Sequence, residues 1–170
     1  QRAGVRQRHL LEAAAQAERA LAFEHAARLY RMALELGSFT DEEARELRAR
    51  LAAALVNAGR GLEAAEAYLA AAVGAAPIVA LDRKRRGAEQ LLFSGHMSEG
   101  LAALQEVLPK LGVRLASTTL GALFSFLLGR LRLRLRGFGY HRRDASQIPA
   151  LELLRVDVYW SLSMGLATAN

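Results

Sequence analysis

The chain contains no cysteine, so a disulfide framework and any thiolate metal site are excluded, which suits a reducing compartment. Proline is scarce, at 3 residues, and aromatics make up only 6%, although 52% of the sequence is hydrophobic. A core of this composition is built from many Ala and Leu contacts between helices and has few large anchors. Strand-forming residues are correspondingly thin, and the fold class expected is all-α. Long apolar runs are missing too. The longest uncharged stretch near the basic segment, Leu115 to Gly129, is 15 residues, short of the roughly 20 that a membrane span requires. The opening QRAGVRQRHLLEAAAQ has no apolar region of the kind that marks a signal peptide, which points to the cytoplasm. Four histidines, His9, His25, His96 and His141, show no metal-ligand spacing, and no Ser/His/Asp grouping has supporting context. No cofactor and no catalytic group are expected.

One sign of charge is missing locally. Residues 1–106 hold 14 basic and 14 acidic side chains, whereas 107–143 hold 8 basic and none acidic. The final 27 residues hold one basic and three acidic, so the formal net charge of +6 arises within 107–143.

What is present is a repeating helical pattern centred on GRGLEAAEAYLAAAVGAAP, Gly59 to Pro77. On a helix, Ala64, Ala65, Tyr68, Ala71 and Ala72 share one face, where small side chains permit close approach of a second helix. The same series stands upstream as Ala26, Tyr30 and Ala33 and downstream as Gly100, Leu104 and Val107, displaced by 38 and 36 residues. Glu24, Glu63 and Glu99 keep the same phase. This pattern resembles the tetratricopeptide repeat, whose period is about 34 residues and whose second helix carries a small, aromatic, small series. Gly59, Ala64, Tyr68 and Ala71 fit that second helix, and Leu51, Ala52 and Leu55 are similar to its first. The periods here are longer, and Pro77 closes the unit one residue late.

In chain order, a first helix is predicted from Val5 to about Ala20, pairing with the Ala26/Tyr30 helix. Gly37 and Ser38 end that copy. Thr40 then caps a third helix, Asp41 to Ala58, with Glu43 completing a capping box. Its Leu47, Leu51, Leu55 row faces the Ala64/Tyr68 helix. Pro77 opens a fifth helix reaching Ser94. Its basic run, Asp82 to Arg86, reads as a solvated helix face in preference to an anion patch. A sixth helix covers Met97 to Leu111.

Residues 1–112 thus read as three tetratricopeptide-like hairpins, and 113–170 as a basic amphipathic helix plus a final helix continuing one right-handed solenoid of about eight helices. In the basic segment, Leu120, Leu123, Phe124, Leu127, Leu128, Leu131 and Leu135 form a helical stripe, expected to be buried against the hairpins. Strict Arg/Leu alternation from Arg130 to Arg136 would also suit a short strand, but no partner strand is in sight. Pro149 opens the last helix, where Leu153, Val156, Trp160, Ser163 and Ala167 predict a packing stripe with Trp160 in the core. The chain begins without Met and ends inside an apolar helix, which reads as a piece of a longer protein. Uncapped repeat ends then predict a homodimer or tail-to-tail contact through the Leu153/Trp160 helix.

The block from about Gly95 to Asn170, with LGALFSFLLGRLRLRLRG, YHRRDASQIP and ELLRVDVYWS, resembles the helical-repeat region that follows the ATPase module in large bacterial serine/threonine protein kinases. That resemblance implies a kinase and ATPase parent in which this region serves as sensor or scaffold. His141-Arg142-Arg143-Asp144 mimics a kinase catalytic loop, but it has one Arg too many and lacks the Asn four residues on. The role expected is therefore a non-catalytic protein-interaction module, with a protein, a peptide or other domains of the parent as partner. The second reading is an anion-surface binder, for membrane lipid or nucleic acid, through Arg130, Arg132, Arg134, Arg136, Arg142 and Arg143. Nucleic acid is not expected, since no aromatic residues interleave the arginines as stacking platforms. Acidic partners elsewhere in the parent are expected to neutralise the cluster.

Overall fold

The computed structural model describes residues 2–113, 119–137 and 144–167. Eight α-helices and no strand are found among them: α1 (Arg2–Arg19), α2 (Phe23–Leu36), α3 (Asp41–Asn57), α4 (Gly61–Ala72), α5 (Pro77–Phe93), α6 (Met97–Val107), α7 (Thr119–Arg136) and α8 (Ala150–Ala167). A 3-10 turn at Leu108–Leu111 extends α6, ending on Gly112 in the left-handed region. The Arg/Leu alternation of 130–136 is helical.

Each of α1 to α5 packs against the next helix in the chain. The three tight turns that fold α1 on α2, α3 on α4 and α5 on α6 share one backbone course. Leu21, Gly59 and Gly95 stand in the left-handed region at φ 57°, 76° and 82°. The following residues, Ala22, Arg60 and His96, have φ/ψ of −86°/61°, −95°/61° and −86°/65°. Their amides reach back to the carbonyls of Ala17, Leu55 and Leu91 at 2.8 to 2.9 Å, satisfying carbonyls that a helix end leaves open. After each turn the first helical turn carries one carboxylate, Glu24, Glu63 or Glu99, at the positive end of the helix dipole.

Two copies place glycine at the left-handed position and the first places Leu21, an exposed side chain with no packing to offset its strain. Leu21→Gly is expected to stabilise the chain by about 1 kcal/mol. Urea unfolding measures this, and a lower midpoint would contradict the turn assignment.

Small residues let the helices meet closely. Ala26, Ala33, Ala64 and Ala71 are fully buried, with Tyr30 and Tyr68 between them and Leu47, Leu51 and Leu55 opposite. The Thr40 capping box is complete: the Thr40 amide donates to Glu43 Oε2 at 2.8 Å, and the Glu43 amide donates to Thr40 Oγ1 at 3.3 Å. Ala14 and Ala17 of α1, Ala26, Tyr30 and Ala33 of α2, Leu47, Leu51 and Leu55 of α3 and Ala64 of α4 make a first core. A second core joins Ala88 and Leu92 of α5, Leu104 and Val107 of α6, Leu108 and Leu111, and Leu154, Val158 and Leu162 of α8.

Tyr30 adds a polar tie inside the first core, its hydroxyl donating to Glu18 Oε2 at 2.9 Å. Burial and the adjacent Glu18 carboxylate push its pKa up to about 12. The folded state therefore holds this proton more tightly than the unfolded chain. Its contribution is intact below about pH 10 and is lost as pH rises through about 12. Alkaline unfolding should be less steep in Tyr30→Phe over that window, followed by circular dichroism.

The chain departs from a regular series after α6. α8, and not α7, packs on α5. The leucine stripe of α7 is expected against the hairpins, yet Phe124, Leu127, Leu128, Leu131 and Leu135 are exposed, Leu135 at 80%, while the side chains of Leu120 and Leu123 lie outside the described residues. The stripe expected on α8 is also displaced. Leu154, Val158, Ser161 and Leu162 are buried, whereas Val156 and Trp160 are exposed, Trp160 at 63%. α8 is apolar on two sides, and a hydrogen-bonded Ser161 selects the inner one.

Candidate interaction surfaces

The basic run on α5 is not a solvated face. Arg83 and Arg85 are buried. Arg83 donates to the Ala71 carbonyl at 2.8 Å, at the end of α4, and to Glu46 of α3 at 2.8 Å. Arg85 donates to Asp82 Oδ1 at 2.9 Å, Glu89 Oε2 at 2.8 Å and Ser161 Oγ of α8 at 3.1 Å. Lys84 pairs with Glu106 of α6 at 2.6 Å, and Arg86 with Asp82 at 2.8 Å. Every cation of the run is therefore committed to an acid, and the run offers no anion site. The spacing carried a signal: Asp82 and Glu89 stand three before and four after Arg85, where helical neighbours meet.

Ion pairs also connect alternate helices. Arg31 of α2 donates to Glu63 of α4 at 2.9 Å, and Arg60 reaches Glu24 at 3.4 Å while pairing with Glu63. Burial raises the Glu63 pKa, but the two guanidiniums outweigh it and hold the carboxylate below its ordinary range. Arg83 and Glu46 tie α5 to α3 in the same way.

The odd-numbered helices leave two clefts that share Glu46 and Arg50 of α3. One, of about 440 Å³, lies against α1 and is lined by Leu11, Phe39, Leu47 and the acids Glu42, Glu43 and Glu46. The other, of about 340 Å³, lies against α5 and carries Arg50, Arg83 and Arg86 beside Asp82 and Tyr68. Their charge changes from acidic to mostly basic along one side of the chain. Glu42 and Glu43 stay ionised to lower pH than usual, Glu42 through its bond to Arg45 and Glu43 through the Thr40 amide. Nothing in the spacing alone singled out Glu46 or Arg50, because their importance comes from helices that meet far apart in sequence.

The residues expected to pack the repeats lie inside the structure: Ala26, Tyr30 and Ala33 on α2, Ala64, Tyr68 and Ala71 on α4, Gly100, Leu104 and Val107 on α6, all buried. Arg130, Arg132, Arg134 and Arg136 are exposed on α7, while Arg142 and Arg143 lie outside the described residues. Among the described residues no group of three or more His, Asp or Glu is placed to hold a metal ion, and no helix is long and apolar enough to cross a membrane. Compared with known proteins, the chain matches no family model, no curated protein and no solved structure.

Proposed function

We infer that the chain is a non-catalytic protein-interaction and regulatory module, a right-handed stack of tetratricopeptide-like hairpins within a larger bacterial signalling kinase or ATPase of the cytoplasm. The observation that carries this reading is the threefold turn at Leu21, Gly59 and Gly95, joined with ion pairs between alternate helices. Units that repeat one turn and contact mainly their neighbours build an extended surface. Such a surface suits an extended peptide or a neighbouring domain of the parent. The kinase parentage rests on the resemblance over Gly95 to Asn170.

The clefts around Glu46 and Arg50 are the surface for that partner, with apolar side chains for anchoring and a charge change that sets direction. The test is an array of peptides of about 15 residues, long enough to cross two clefts at roughly 3.3 Å per residue. Bound peptides should protect α1, α3 and α5 from hydrogen exchange and weaken about tenfold or more with Arg50→Glu. Protection confined to other helices would overturn the reading. A homodimer through α8 would cover Val156, Tyr159 and Trp160, and comparing the oligomeric state with that of Trp160→Glu tests it.

A further inference from the structure

Among the described residues α7 contributes to neither core, and it still carries the pattern of a buried helix. Phe124, Leu127, Leu128, Leu131 and Leu135 are exposed, Phe124 at 69% and Leu131 at 52%. At 100° per residue they fall within an arc of about 100°. Arg130 and Arg134 border one edge of that arc and Arg132 and Arg136 the other. Leu133 lies on the opposite side. All four arginines are exposed, and none enters an ion pair among the described residues. The apolar row from Phe124 to Leu135 is about 17 Å long at 1.5 Å per residue.

We propose that α7 lies flat on an anionic phospholipid surface, with its Phe124 and leucine arc in the acyl boundary and its four arginines on headgroup phosphates. The placement of charge selects this occupant. Cations on both edges of an apolar arc suit a plane that is apolar at its centre depth and anionic at both sides, the geometry of an interfacial helix. Long side chains at the edges extend outwards while their stems stay in contact with lipid, and guanidinium pairs with phosphate in two hydrogen bonds. The absence of any acid from 107 to 143 removes local repulsion from such a surface. Nucleic acid would satisfy the arginines but leave the apolar arc in water. α8 packs on α5 through the Arg85–Ser161 contact, whereas the described residues of the α7 arc stay exposed.

The test uses the 170-residue chain with Trp160→Phe and Phe124→Trp, so that the one tryptophan reports from the arc. It is titrated with vesicles of phosphatidylcholine, with and without phosphatidylglycerol, and with duplex DNA, at about 0.15 M salt, where the Debye length is about 8 Å. A blue-shifted emission with the anionic vesicles alone is expected. Changing the four arginines to Gln should weaken partitioning by about 100-fold or more, taking roughly fivefold for each cation at the surface. Leu127→Ser with Leu131→Ser should weaken it by about tenfold or more, because apolar burial adds to charge. Circular dichroism confirms that each variant keeps its helices. No blue shift, equal partitioning of the serine variant, or tighter binding to DNA than to vesicles would each overturn the proposal.

Discussion

Arg85→Ala is expected to destabilise the chain by about 3 kcal/mol, the low end for breaking a buried ion pair from one side. The side chain is only 8% exposed and donates to two carboxylates and a hydroxyl on two helices. Removing it leaves Glu89, 19% exposed, without its cation and takes one of two guanidiniums from Asp82. Ser161, fully buried, loses Arg85 but keeps the Glu89 carboxylate of α5 at 3.1 Å and the Asp157 carbonyl at 2.9 Å. Asp82 retains Arg86 and is one third exposed, which keeps the cost at the lower end. The loss should be local. Hydrogen exchange should rise in α8 first, since Arg85 of α5 donates to Ser161 and stands 4.0 Å from Asp157, both on that helix. Arg85→Met with Glu89→Leu should recover most of the loss, because replacing a buried pair by apolar side chains of similar volume is often neutral. A change within about 0.5 kcal/mol for Arg85→Ala, measured by urea unfolding, would mean that the side chain is solvated after all.

The hairpins were legible because their signals are local. The small-residue face, the Thr40 capping box and Pro77 at the start of α5 each act within a turn or two of helix. Their boundaries agree with the structure to a few residues. The common turn was half legible, since Gly59 and Gly95 mark it but Leu21 carries no such mark. Burial of Arg83 and Arg85 was hidden because a charged run looks alike whether its partners are water or carboxylates. Asp82 and Glu89 beside Arg85 were visible, but what buries the two arginines comes from afar: the Glu46 carboxylate of α3, 37 residues from Arg83, and the Ser161 hydroxyl of α8, 76 residues from Arg85. The same distance explains α7 and α8. Both helices carry leucine at helical spacing, and periodicity cannot say which one a polar contact will hold on α5. Trp160 was placed in the core because size and hydrophobicity favour it there. The small Ser161 won that side because its hydroxyl meets Arg85 and Glu89.

Ala64→Leu is expected to cost about 1–3 kcal/mol, the usual range for forcing extra methylene groups into a filled contact. Ala64 has no exposed surface and belongs to the first core, beside Leu51, Leu55 and Ala26. Its counterpart on α6 shows how little room such a position has. A Cβ on Gly100 would lie 2.8 Å from Leu92 Cγ and 3.1 Å from the Ala88 carbonyl oxygen. At the third copy, then, α5 and α6 meet closely enough that glycine is the residue that fits without a shift of Leu92. Helix propensity does not offset the cost, since Leu and Ala are both good helix formers. Ala70, exposed on the same helix, supplies the matched control. Ala70→Leu should stay within about 0.5 kcal/mol of the parent chain, as surface substitutions do. A shift of the urea midpoint in Ala64→Leu alone, with an unchanged slope, locates the loss in packing and leaves the denatured state out of it. Equal effects at the two positions would mean that α4 does not turn this face toward α2 and α3, and the register of the repeat would be wrong.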